Sequence, residues 1–157
     1  GAMGTTVGGN TMLGSTGTAV SVAGGGQNAV RDNVIIGGEV GILASAEGTE
    51  GAVPGMRVED NYLAGLRRGI VLAWQRGAVV RGNRFDLVDV ALAADSASAD
   101  AEVRGNVFLR AERWFIQAPR LTAGGNYWAT PDLAAARRQV QGEVRLEPWF
   151  PAAAAGF

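Results

Sequence analysis

Two groups of side chains in this 157-residue chain have the chemistry for a site. The first is a set of carboxylates, Asp86, Asp89 and Glu112, with Asp60 upstream. Paired carboxylates can act as acid and base, or as nucleophile, on a glycosidic bond when they stand roughly 5–9.5 Å apart. The second is Trp74 and Trp114 with Arg68, Arg76 and Arg113. Indole rings stack on the C–H faces of sugars, and arginine holds a carboxylate through two parallel N–H donors. Together they would make a platform for polysaccharide. The third observation is an exclusion. The chain has no histidine and no cysteine, so a Ser-His-Asp triad, a disulfide framework, and zinc or copper sites built on those residues are ruled out. No metal site and no cofactor is expected.

Any of these groups needs a frame to bring it together, and the chain carries one in repeated form. Val103-Arg104-Gly105-Asn106-Val107-Phe108 is matched by Val80-Arg81-Gly82-Asn83-Arg84-Phe85, by Val58-Glu59-Asp60-Asn61-Tyr62-Leu63 and by Val30-Arg31-Asp32-Asn33-Val34-Ile35. Weaker copies surround Asn10 and Asn126, and the six asparagines are 23, 28, 22, 23 and 20 residues apart. Three positions before each Asn stand Val7, Val30, Val58, Val80, Val103 and Ala123; two after it stand Met12, Ile35, Leu63, Phe85, Phe108 and Trp128. Between these apolar columns runs a polar or small one, which is strand periodicity. The residue before Asn is always Gly or Asp, as a tight left-handed bend requires. Asp32 and Asp60 therefore read as turn residues.

A repeat of about 22 residues cannot bury its own inner face, so coils must stack. Each coil is read as a strand, a sharp turn at Gly/Asp-Asn, a second short strand, a looser turn and a third strand. The third supplies Val20/Val22, Ile42, Ile70/Leu72, Val90/Leu92 and Phe115. Parallel strands about 4.8 Å apart place equivalent residues above one another. Asn10, Asn33, Asn61, Asn83, Asn106 and Asn126 then form a ladder of amides that satisfies buried turn groups. Arg31, Glu59, Arg81 and Arg104 fall on one outward column, a solvated face or a basic strip for an acidic polysaccharide.

On these phrases the chain resembles the right-handed parallel β-helix repeat proteins: pectate lyases, polygalacturonases, alginate epimerases and phage tailspikes. The resemblance covers residues 5 to about 128. It implies an all-β, right-handed single-stranded parallel β-helix of about six coils, and a secreted, cell-surface or phage-like setting. It implies little about activity, because one solenoid hosts many. The Gly-His-Gly and Asp-Pro-His motifs of the polygalacturonases and epimerases are absent. A lyase-like site would use calcium held by carboxylates with an arginine base; a tailspike-like site would use paired carboxylates.

Past Trp128 the period changes. Thr130 reads as a helix N-cap, Pro131 as the first helical residue and Asp132 as favourable in the first turn. A helix over Leu133–Gln141 would end at Gly142 as C-terminal cap, followed by a strand over Glu143–Glu147. Residues 129–151 are thus expected to cap the last coil, with Trp128, Trp149 and Phe150 plugging it, and 152–157 to trail as a tail. At the other end, Gly1-Ala2-Met3 reads as a tag remnant, and residues 1–4 are set apart. No capping segment is visible there, which suggests either a longer parent protein or a homo-oligomer contact through that end. The insertion Glu47–Gly55 reads as a surface loop on one flank. A net charge of −1 gives no support to nucleic-acid binding, and no apolar run approaches the ~20 residues of a membrane span. The expected role is a non-catalytic module, a rigid scaffold and binding surface; the alternatives are a carboxylate-based lyase or glycosidase and an oligomer-forming structural module.

Overall fold

The computed structural model describes residues 4–24, 26–46 and 55–155. The tag-like residues 1–3 and the inserted segment 47–54 lie outside these. The chain winds as a parallel β-solenoid of about six turns. β1 (Thr6–Gly8) and β2 (Thr11–Ala23) make the first coil, β3 (Ala29–Arg31) and β4 (Val34–Ser45) the second, and β5 (Arg57–Glu59) and β6 (Tyr62–Ala73) the third. In the fourth coil the long strand divides, giving β7 (Val79–Arg81), β8 (Arg84–Asp86) and β9 (Val88–Ala94). The fifth repeats that pattern as β10 (Glu102–Arg104), β11 (Val107–Phe108) and β12 (Ala111–Thr122). β13 (Asn126–Trp128), α1 (Leu133–Arg138), β14 (Val140–Arg145) and β15 (Trp149–Pro151) finish the stack.

The short strands before each Asn form one five-stranded parallel sheet, β1-β3-β5-β7-β10. Its register sets Val7 on Val30, Val30 on Val58, Val58 on Val80 and Val80 on Val103. The strands after Asn form a second sheet that wraps the remaining two sides. It bends at the fourth residue past Asn, where Gly14, Gly37 and Gly65 have positive φ and Leu87 takes the same conformation at φ 51°. The expected second and third strands are thus one bent strand in the first three coils.

The core is a set of columns. Leu63 pairs with Phe85, Phe85 with Phe108 and Phe108 with Trp128. Their rings stack at 5.0 Å (Phe85–Phe108) and 4.4 Å (Phe108–Trp128). Small residues face this column. A Cβ on Gly41 would come 2.7 Å from Leu63, and one on Gly69 2.9 Å from Phe85. The other inner column runs Val20, Ile42, Ile70, Leu92, Ile116. Ile116, not Phe115, holds the register position; Phe115 is also buried and packs against Phe108 and Trp128.

The C-terminal closure differs in detail from the sequence reading. The helix cap is Asp132, whose carboxylate accepts from Ala135 N (2.7 Å), and not Thr130. A carboxylate is the stronger acceptor for the unpaired amides of a first turn. The helix stops at Arg138 because Val140 and Gln141 pair with Ile116 and Gln117 of β12. Gly142 lies inside β14 at φ 105°, where a Cβ would overlap the Ala118 carbonyl, and does not cap the helix. Trp128 and Leu146 are fully buried and Trp149 is half-buried. Phe150 faces outward beside Tyr127 (5.6 Å), because alternate residues of β15 point to opposite faces. Residues 152–155, read as part of a tail, form a 3-10 turn with Ala152 buried.

Candidate functional site

The corner before each long strand is built for continuity. In all six turns the residue before Asn has a φ between 56° and 79°, which turns the following side chain inward. From Asn10 to Asn106, each backbone N and each Nδ2 donates to Oδ1 of the next asparagine, over 2.9–3.1 Å. From Asn33 onward Nδ2 also donates to the valine carbonyl of the preceding coil, over 2.8–3.0 Å. Five of the six side chains are buried; Asn10, on the first coil, is exposed. Each amide is saturated by its neighbours, so the ladder is structural.

The carboxylates do not share one environment. Asp86 is buried and clamped by Arg110, Nε to Oδ1 at 2.8 Å and Nη2 to Oδ2 at 2.9 Å. The guanidinium's hydrogen bonds hold the Asp86 carboxyl below the usual carboxylate range, against the opposing effect of burial. It stays ionised and cannot donate a proton near neutral pH. Asp89 lies past the Leu87 bend on β9. Ala111 pairs with Val88 and Trp114 with Val90, so Glu112 and Arg113 together oppose Asp89 in an irregular stretch of β12. Glu112 and Asp89 are brought to adjacent coils. Among the described residues no three His, Cys, Asp or Glu side chains group as metal ligands would.

The five aromatic and basic candidates fall into two groups. Arg68 pairs with Val90 and Val90 with Trp114, so Arg68 and Trp114 occupy one column two strand spacings, about 10 Å, apart. Arg113 adjoins Trp114. Trp74 and Arg76 lie beyond the far end of β6, where six residues of extended strand put Trp74 about 20 Å from Arg68. On the charged sheet, Arg81 pairs with the buried Glu59 (2.9 Å) and Arg104 with Glu102, so that face is partly self-neutralised.

At the corner that carries Trp74, a candidate from the sequence, the structure adds a polar network that the sequence did not announce. Trp74 is 59% exposed and holds φ at 59°, a conformation that costs a bulky L residue about 1–2 kcal/mol. Asp95, one coil on, keeps it there. Asp95 Oδ2 accepts from Trp74 N (2.9 Å), while Oδ1 accepts from Ser98 N (3.0 Å) and Ser98 Oγ (2.8 Å). Gln75 is buried and donates from N to Ser98 Oγ (3.0 Å) and from Nε2 to the Gly24 carbonyl (3.1 Å). Gly77 N donates to Asp100 (3.0 Å). This second buried polar stack escapes sequence alignment because Gln75 and Ser98 differ in type. Its one local signal is the Asp95-x-x-Ser98 spacing of a capped turn.

Beside this corner an open groove of about 480 Å³ runs across the outer face. Val71, Ala73 and Ala93 form its apolar floor, and Asp95, Gln117 and Gln141 contribute its polar groups. Gln117 Nε2 donates to Gln141 Oε1 (2.6 Å). Trp74 is tied to the groove twice, by the chain through Ala73 and by its amide through Asp95.

The model of one family matches residues 2–133; its description is "periplasmic copper-binding protein (NosD)". No curated protein and no solved structure matches the chain. The match covers the first five coils and the start of the last, and the chain belongs to the NosD family, a parallel β-helix family.

Proposed function

We propose that this chain is a rigid, non-catalytic solenoid module that binds a polysaccharide along the groove at the Trp74 corner. The observation that carries the reading is Trp74 itself. A large exposed ring in a left-handed backbone conformation is unfavourable twice over, and here the half-buried Asp95, itself bonded to the buried Ser98, maintains it. Strain upheld in this way is characteristic of working positions. The small apolar floor beside it suits a flat ligand, and the amides of Gln117 and Gln141 offer both donors and acceptors to hydroxyls. Arg76 is exposed two residues on and would favour acidic sugars. The ladder makes the module stiff, so a bound chain meets a fixed surface.

Turnover has less support. Asp86 is held ionised by Arg110, which removes it as a general acid. The family description names copper and the periplasm. Copper sites are built from imidazole, thiolate and thioether donors. This chain has no His and no Cys; of its three methionines Met56 is sealed in the core, Met12 is half-buried and Met3 lies outside the described residues. The donor set does not fit copper. The periplasm fits a glycan ligand.

The test is retention on a panel of acidic and neutral polysaccharides, with chain length measured alongside, with and without calcium. Retention without shortening is expected. It should fall at least tenfold in Trp74→Gly and persist in Trp114→Ala. The glycine variant should keep its stability within about 1 kcal/mol, because relief of the left-handed strain offsets the added chain entropy. Shortening abolished by Asp86→Ala or Asp89→Ala would replace this reading with an enzyme.

A further inference from the structure

One outward column crosses the groove beside Trp74. Leu43, Val71, Ala93, Gln117 and Gln141 follow one another in register from coil to coil. The two glutamines at its end form a short amide ladder, Gln117 Nε2 donating to Gln141 Oε1 over 2.6 Å. The same kind of bond joins the asparagines of the buried ladder. Here the run stops after two rungs. The next coil offers Ala93 and the one after it Val71, and neither side chain has a polar atom. Among the described residues Gln117 Oε1 and Gln141 Nε2 have no other partner.

The groove is largely the space that the missing rungs leave. Ala93 lies one strand spacing, about 4.8 Å, from Gln117, which is the separation at which stacked amides bond. The wall past the glutamines is a bulge, with Ala118 and Pro119 together opposite Gly142 alone. Any side chain at Gly142 would overlap the Ala118 carbonyl, so the wall keeps its shape.

The lining selects among the substituents a sugar can carry. A carboxylate over Ala93 would find no basic side chain among the described lining residues. An ammonium would find only Asp95, whose Oδ1 already accepts from Ser98 N and Oγ and whose Oδ2 accepts from Trp74 N. A hydroxyl could reach Gln117 but would give up water over an alanine and valine floor. An acetamide meets the whole lining: its N–H suits the open oxygen, and its methyl suits the floor.

We infer that the groove seats an N-acetylated aminosugar. The acetamide N–H donates to Gln117 Oε1 as the next rung of the ladder, and the methyl rests on Val71, Ala73 and Ala93. Trp74 lies one strand over from Ala93 and three residues along, about 11 Å away, so the neighbouring sugar ring in the same chain reaches the indole. Arg76, beyond Trp74, is left for an acidic group elsewhere on the polymer. The inference rests on the glycan reading of the groove and names the sugar unit that the groove selects.

The experiment is calorimetric titration of the 157-residue chain with three β-1,4-linked tetramers that differ only at the second ring carbon: those of N-acetylglucosamine, glucosamine and glucose. The acetylated tetramer should bind at least tenfold more tightly than either of the others. Gln117→Met keeps the length of an exposed side chain and removes the acceptor. It should bring the acetylated tetramer to within about twofold of the glucose one and leave the glucose Kd unchanged, whereas Trp74→Gly should weaken all three. In saturation-transfer spectra the acetyl methyl protons should receive the strongest signal. That signal should vanish in Ala93→Gln, whose own amide takes the rung. Equal affinity for the acetylated and glucose tetramers, or a preference that survives Gln117→Met, would overturn this inference and leave the glycan reading standing. If no tetramer binds, the polysaccharide panel decides. Retention confined to N-acetylated polymers supports the inference, retention on a polymer without N-acetyl groups overturns it alone, and retention on none overturns both readings.

Discussion

Two corners of this solenoid do the same mechanical job by opposite means. At the asparagine corner one residue type recurs in every coil, each amide bonding its neighbour over 2.9–3.1 Å. At the Trp74 corner Gln75, Ser98, Asp95 and Asp100 satisfy the turns with different groups. At the uniform corner the asparagine amides from Asn33 onward are bonded on both sides and have nothing left for a ligand. The irregular one carries an exposed tryptophan and borders the groove. In a stacked fold, repetition serves the stack, and a departure from it that is nevertheless fully hydrogen-bonded marks where a surface has been shaped for something else.

Substitutions can break or sharpen that contrast. The largest effect is expected at the centre of the ladder. Asn83→Ala removes the acceptor for Asn61 N and Nδ2, and the donor to the Val58 carbonyl, all in the interior. At 1–3 kcal/mol for each buried group left unsatisfied, it should cost about 3–5 kcal/mol by denaturant unfolding. Asn10→Ala, at the exposed end of the same ladder, should cost under about 1 kcal/mol. Equal losses at the two positions would mean that the ladder is not what holds that corner.

Next comes the ion pair that belongs to neither corner and calibrates both. Asp86→Asn should lower stability at neutral pH by about 1–2 kcal/mol, the range for a charge-assisted bond whose arginine is solvent-exposed. Proton linkage sets the sign of the pH dependence. The folded Asp86 carboxyl lies below its unfolded value, so its contribution is complete above the unfolded value and is lost as pH falls through the folded one. The parent should therefore lose stability in acid more steeply than Asp86→Asn when melting is followed from neutral pH to about pH 2.

A smaller effect than that of the ion pair, and the most informative, is expected at the irregular corner. Asp95→Ala frees Trp74 N and Ser98 at a half-buried site and should cost about 1 kcal/mol. It should nonetheless reduce glycan retention as Trp74→Gly does. A variant that loses stability but keeps retention would show that Asp95 supports the turn without positioning Trp74.

Much of the architecture was legible because stacking imposes identity. The asparagine column, the valine column and the Met12-to-Trp128 column align by eye, since parallel register places like on like. Position Asn−1 announced its own backbone, as only Gly and Asp occupy it. The candidate site was less legible. Arg68 and Trp74 look close in sequence, yet β6 holds them apart because a strand advances about 3.3 Å per residue. Asp86 finds Arg110 one coil on, 24 residues away, and nothing in either neighbourhood predicts it. The helix stopped short because strand pairing with β12 captured residues whose local pattern also suits a helix.

What the sequence determined by itself was the repeat, the family of fold that repeat permits, the inner columns, and the exclusion of histidine and cysteine chemistry. These depend on residue types at fixed spacing, which local sterics and burial translate directly into structure. Only the tertiary structure decided which carboxylate was neutralised, which tryptophan stood exposed, and where unlike polar residues closed into a network. Those outcomes depend on side chains a coil or more apart meeting in space, and the spacing between coils is set by insertions and bends that no single repeat contains.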